Sequence, residues 1–243
     1  MGITRKKDTG EKGNRGEFGS VPRGEADVQV DTTSADSTTS ATGSVHRSAQ
    51  IDETASIAPT ATIRNMARIQ QDVRIGDGVK MGHHSFAGAG AQIGDGTQVG
   101  SRAMVAGGAH IGPGARIGTG VSVSSRSRIG EGARIGSSST INADCDVSPG
   151  ARLGKDTHLS SHVSVGQGAV LEDQASAGQH SRLGRDVTLG EGALVGYHCT
   201  IGDGARIDPN VAVRPESRIA PGEHVTIDHP RAEPRPALDD FDD

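Results

Sequence analysis

Bulky side chains are nearly missing from this chain: its 243 residues include no Trp, one Tyr, three Phe and four Met. A conventional layered core draws much of its buried area from large apolar and aromatic groups, so that design is excluded and the interior has to be a narrow column. Cysteine is as scarce, with Cys145 and Cys199 alone, too few for a disulfide framework. No stretch approaches the roughly 20 apolar residues of a membrane-spanning helix. The N-terminus lacks the apolar segment of a secretion signal, so a cytoplasmic protein is expected. With 25 Lys and Arg against 30 Asp and Glu, the formal charge of -5 gives no overall case for nucleic acid as a partner.

What is abundant is glycine, 36 residues, and regularity. Every sixth residue from Val45 to Val225 is Val, Ile, Leu or Met, with Ala87 and Ala177 the exceptions, giving 31 rungs without an insertion or deletion. Two positions before each rung, from Ala49 to Ser217, sits only Ala, Val, Ser, Thr or Cys. Turn pairs such as Asp77-Gly78, Asp95-Gly96, Pro113-Gly114 and Glu131-Gly132 recur between rungs. Neither a helical period nor simple alternation accommodates six residues with two inward seats, whereas a short strand plus a tight turn does. A fixed short period marks a stacked solenoid in which each coil touches only its neighbours. Residues 45–227 therefore form one domain.

Cys145 and Cys199 both occupy the small inward seat. With three hexads per coil they lie three coils apart, roughly 14 Å at the usual strand spacing. That is beyond disulfide reach, and both read as buried reduced thiols.

The pattern aliphatic-Gly-x-x-small-x, as in Ile75-Gly76-Asp77-Gly78-Val79-Lys80 and Ile201-Gly202-Asp203-Gly204-Ala205-Arg206, resembles the bacterial hexapeptide-repeat family. The resemblance implies an all-β fold, a single-stranded left-handed parallel β-helix of about ten three-strand coils, and a homotrimer. The left hand rests on the resemblance alone, since parallel crossovers are ordinarily right-handed. Many members of that family are acyltransferases with an acyl-CoA or acyl-carrier-protein donor and a His base between subunits, so acetyl-CoA or another acyl-CoA is the implied cofactor. Other members are carbonic anhydrases of the gamma class. The stretch Val79-Lys80-Met81-Gly82-His83-His84-Ser85 resembles theirs, but Gly88 stands where a second metal His is expected. No metal is therefore expected. The hexad register also lacks the inserted loops with which the acyltransferases wall their groove, and no helical segment follows Val225.

Residues 1–44 and 228–243 lack the apolar period and read as disordered tails, the second Pro-rich and acidic. The segment Gly13-Asn14-Arg15-Gly16-Glu17-Phe18-Gly19 with Glu25-Ala26-Asp27 resembles a leader of actinobacterial phage and plasmid proteins. Phe18 and Phe241, each isolated in a polar tail, are candidate anchors for a partner.

Folding the sequence at 18 residues per coil sorts the outward positions into three faces. Face one carries Phe86, Met104 and Leu194 among smaller groups; exposed apolar groups of this size ask for a partner surface, and a homotrimer contact is expected there. Face two is mixed. Face three stacks Arg116, Arg134 and Arg152 on consecutive coils, a candidate clamp for the phosphates of a CoA donor, a nucleotide or a nucleic acid backbone, or else a solvated basic face. The corner after face two is Gly in Gly78, Gly96, Gly114, Gly132, Gly150 and Gly168, as a positive φ requires. The corner after face one becomes Asp144, His162, His180, His198 and Glu216 in the second half, with Tyr197 alongside. Imidazoles one strand spacing apart are candidate catalytic bases near neutral pH. They equally fit a solvated ladder, because His tolerates the left-handed region better than most residues. Two functions stand side by side: an acyl-CoA-dependent transfer to a hydroxyl or amine, and a non-catalytic β-helical scaffold, of a phage or plasmid if the leader is informative.

Overall fold

A computed structural model describes residues 43–234. Each rung of the ladder ends a strand, nearly all of them two residues long: one outward residue and then the apolar rung, as in Gln98–Val99 and Arg116–Ile117. Three parallel sheets result. The sheet of face three begins at Ser44–Val45 and has 11 strands, that of face one begins at Gln50–Ile51 and has 11, and that of face two begins at Ser56–Ile57 and has 10. Pairing runs Gln98↔Arg116 and Val99↔Ile117, so one coil is 18 residues and every side chain sits on its counterpart of the coil before. The fold is thus an all-β parallel solenoid of about ten coils, as the period predicts; its left hand is what the hexapeptide resemblance implies.

The interior is the narrow column that the composition demands. From Ile63 to Val225 the rungs are at most 4% exposed, and the small seats hold Ala, Val, Cys, Ser or Thr. The hydroxyls are satisfied by the coil stack: Ser127 donates to the Asn142 carbonyl at 2.7 Å and accepts from the Cys145 N–H at 3.1 Å. Among the described residues no buried side-chain nitrogen or oxygen lacks a partner. Cys145 and Cys199 are buried and free, their thiols pushed up mainly by desolvation. That makes them packing groups and poor nucleophiles.

Every corner from Met66 to Gly222 places one residue, each sixth along the chain, at a φ of 50–71°. Twelve of these are Gly and fifteen are not. The corner glycines of face two that the sequence singled out all adopt this conformation.

The C-terminal end departs from the expected tail, which was drawn from residue 228. Ala232–Pro234 turns back and pairs antiparallel with Val211–Val213, in register Val211↔Pro234 and Val213↔Ala232. The Arg214 N–H donates to the Arg231 carbonyl at 2.9 Å. Exposed strand edges invite further pairing, and this return strand occupies the face-one edge and leaves Ala212 fully covered. No apolar period announces it, because an edge is capped by backbone hydrogen bonds, which carry no side-chain signature. The rest of both tails, Phe18 and Phe241 included, lies outside the described residues.

Candidate functional site

His162, His180 and His198 are corner residues at φ 61°, 59° and 53°. Each is held by its own backbone: their N–H groups donate to the carbonyls of Ala143, Ser161 and Gln179 at 3.1, 3.1 and 2.8 Å. Gly178 and Gly196 permit the close stacking, since a Cβ on Gly178 would meet the Gly196 carbonyl carbon at 2.6 Å. The imidazoles consequently stack as a column. Ring centroids are 4.7 Å apart at 3° between His162 and His180, and 4.9 Å apart at 12° between His180 and His198. Tyr197 meets His198 edge-on at 5.8 Å and 87°.

Electrostatics distinguish the middle of the column. His180 is held below the usual imidazole range by desolvation first and then by the like charges of His162 and His198, so the arrangement favours a neutral ring there. Beyond His162, in the same corner column, comes Asp144, whose carboxylate takes both Nε and Nη2 of Arg126 at 2.7 Å. Those hydrogen bonds, and the charge of His162, keep Asp144 below the usual carboxylate range. Glu216 continues the column beyond His198. The sequence reading missed Arg126 as part of this ladder, although its distance of one coil from Asp144 is a signal in plain sight. Parallel stacked rings do not converge on a point. Among the described residues no three His, Cys, Asp or Glu are grouped to hold a metal ion.

Arg116, Arg134 and Arg152 stack in register with their side chains exposed. Among the described residues none of the three guanidinium groups has a hydrogen-bonded or ionic partner. Arg116 and Arg134 border an open hollow of about 590 Å³ shared with Lys80, Ser101 and Thr119. The two candidate sets are not brought together. Each coil runs face three, face one, face two, so the corner between faces one and two lies opposite face three. Within one subunit the two sets lie on opposite sides of the prism. Arg116, Arg134 and Arg152 can therefore join the His column only across a subunit interface, with face three of one subunit against face one of the next.

Face one presents Phe86 and Met104 as register partners. Met104 is 49% exposed, while Phe86 and Leu194 are half-buried. In the segment resembling carbonic anhydrases, His83 is hydrogen-bonded to Asn65 and to Arg64.

Comparison with known proteins finds a family match over part of the chain. The family described as bacterial transferase hexapeptide (six repeats) matches residues 90–125 and 108–143, so the six-residue units of residues 90–143 match that family's hexapeptide repeats. Among solved structures, the UDP-N-acetylglucosamine acyltransferase of Francisella novicida is 17% identical with a TM-score of 0.47, covering 73% of this chain and 66% of that one. LpxA of Acinetobacter baumannii is 18% identical at a TM-score of 0.44, covering 75% and 71%. The Campylobacter jejuni UDP-N-acetylglucosamine acyltransferase is 21% identical at 0.40, covering 70% and 71%. This chain thus spans 66% of the Francisella protein's length. No curated protein matches the sequence.

Proposed function

We propose that the chain is a hexapeptide-repeat acyltransferase that draws its base from the His162–His180–His198 column and its acyl group from an acyl-CoA, acetyl-CoA being the simplest. One observation carries the reading: three imidazoles stacked on consecutive coils, with the middle one favoured in its neutral form. Neutral His180 takes the proton of an acceptor hydroxyl or amine as its oxygen or nitrogen bonds to the thioester carbonyl carbon. The tetrahedral intermediate then expels the thiolate as the C–S bond breaks, and the imidazolium returns the proton to sulfur. An ester or amide and a free thiol leave, and the ring is restored. Arg182, exposed and two residues past His180 on face two, and the Arg116, Arg134 and Arg152 column of a neighbouring subunit are the cations proposed to meet the donor's phosphates. Packing of Phe86, Met104 and Leu194 against a neighbouring subunit closes a homotrimer and walls the His corner.

A scaffold without chemistry is the second reading, favoured by the unbroken register from Val45 to Val225, which leaves no loop to enclose a substrate. Calorimetric titration with acetyl-CoA, beside the oligomeric mass from light scattering, separates the two. Saturable binding to a trimer, weakened by Arg182→Ala or by Arg116→Ala, supports the transferase. A flat titration leaves the scaffold. Phe86→Glu with Met104→Glu should reduce the mass to that of a monomer; an unchanged mass moves the contact to another face.

A further inference from the structure

Charge is segregated along one edge of the solenoid. Face three and the corner that follows it repeat as residues 62–66, 80–84, 98–102, 116–120 and 134–138, which carry Arg64, Lys80, Arg102, Arg116 and Arg134 and not one Asp or Glu. All five cations are exposed. They span four coil spacings, roughly 19 Å. Further along the same edge acids enter, as Asp156, Glu172, Asp173 and Glu191. The net charge of -5 conceals the basic run.

The acidic stretch shows what this corner backbone does with an anion. There the Lys155 N–H donates to Asp173 Oδ1 at 2.8 Å and the Glu191 N–H to Glu172 Oε2 at 3.0 Å. The same turn position is filled in the same way on the corner after face two, where the Asp77 and Arg185 N–H groups donate to Asp95 and Asp203 at 2.9 and 2.8 Å. The first turn residue of a corner is thus a recurring receptor for an anionic oxygen. In the basic stretch the equivalent N–H groups, those of Ser101, Thr119 and Ser137, have no acceptor among the described residues. These three residues line the open hollow of about 590 Å³ together with Lys80, Arg116 and Arg134. Arg64 borders the same hollow and is steadied by His83. Asn65 Oδ1 accepts the His83 Nδ1–H, which leaves His83 Nε2 to accept from the Arg64 guanidinium at 3.3 Å.

Backbone N–H, hydroxyl and guanidinium donors are the groups that hold phosphate, and here they repeat at one coil spacing. A lone phosphate uses one rung of such a ladder, whereas a chain of phosphates uses all of them. No aromatic side chain stands in the five segments, so the bases of a nucleic acid have no stacking platform. We propose that this edge binds linear inorganic polyphosphate, with anionic oxygens on the N–H groups of Ser101, Thr119 and Ser137 and on the guanidinium groups of Arg64, Arg102, Arg116 and Arg134. The site goes beyond the transferase reading and does not rest on it. Arg116 and Arg134 belong to both, so polyphosphate and a CoA donor compete for them.

The test is calorimetric titration of the full chain with short-chain sodium polyphosphate, beside orthophosphate and an oligothymidylate. Polyphosphate should bind saturably and more tightly than either, with log K falling linearly as log salt rises. Arg64→Gln and Arg102→Gln should each weaken binding and lower that slope by roughly 1. Arg206→Gln, beyond the acids on the same face, should leave it unchanged. Thr119→Asp combined with Ser137→Asp offers the Ser101 and Thr119 N–H groups the carboxylates that Asp173 offers Lys155, and so fills the receptors from within. The double variant should melt no lower than the parent and lose at least about tenfold in affinity, the worth of one charge-assisted hydrogen bond. A flat polyphosphate titration overturns the proposal, and so does undiminished affinity in the double variant. Oligothymidylate bound as tightly as polyphosphate would make the occupant a nucleic acid and overturn it equally. The acetyl-CoA titration decides the transferase reading separately, whichever way this one falls.

Discussion

The corner that follows face one has a bare stretch at Gly90 and Gly108, after Asp72, and a crowded one from Arg126 onward, on the same backbone. Gly90 and Gly108 turn at φ 69° and 67°, with nothing closer than 4.0 Å to an added Cβ. Arg126, Asp144, His162, His180, His198 and Glu216 turn at 53–61°. Glycine adopts this region freely, whereas a residue with a Cβ is disfavoured there by roughly 1–2 kcal/mol. The difference separates what the fold requires from what the sequence adds. A positive φ is the fold's requirement and Gly meets it. Fifteen of the corners carry a side chain, and what distinguishes this one is three consecutive His whose rings stack.

If the crowded half is a catalytic site, the largest effect comes from removing its central ring. His180→Ala should lower turnover by roughly 10²- to 10⁴-fold while donor binding and oligomeric mass stay the same. Equal turnover in the variant and the parent would return the column to the status of a solvated ladder. Next comes the stacking that makes the column. Gly178→Ala drives a Cβ into the coil bearing His198, where the gap is 2.6 Å, and overpacking of this kind typically costs about 1–3 kcal/mol. Chemical denaturation measures it; a variant as stable as the parent would mean that the coils slide apart easily. Smaller still, and opposite in sign, His180→Gly should stabilise the chain by about 0.5–1 kcal/mol, because relief of the left-handed conformation exceeds the added freedom of the unfolded chain. A higher melting temperature together with lost turnover would show stability given up for function at this corner. A lower one would mean that ring stacking itself holds the coils.

The same contrast explains how much could be read beforehand. A rung every six residues dictates the column, and the Asp-Gly and Pro-Gly pairs dictate the corners, because both are local demands on side-chain size and on φ. The His column was legible for the same reason, as three residues at the coil period. Failure of the Arg face to join it was not drawn from the sequence, since it depends on which side of a three-sided prism each column occupies once the coil closes. The return strand Ala232–Pro234 was illegible for another reason: a Pro-containing segment without apolar spacing is recruited by the free hydrogen-bonding edge of Val211–Val213, and nothing in its own residues specifies that.

The finest test uses pH. His180 is held below the ordinary imidazole range chiefly by desolvation and secondarily by His162 and His198. The unfolded chain therefore binds a proton at this residue at a higher pH than the folded one. Stability from this group is complete above the ordinary His range and falls as the pH drops through it. Asp144, held low by Arg126, acts further down: its contribution is present above the ordinary Asp value and is lost as the pH falls through its lowered value. Only the His180 effect should appear in the acid limb of kcat/KM, which reports protonation of the base in the free enzyme. With His162→Ala and His198→Ala combined, the like-charge contribution disappears while part of the desolvation remains. The acid limb, and the imidazole titration of His180 followed by NMR, should both move upward while staying below the ordinary value. The Gly90→Ala chain, altered in the bare half, should keep the parent's limb. A limb that stays in place when both neighbours are removed would mean that the column is not electrostatically coupled, and that His180 works, if it works, as an isolated ring.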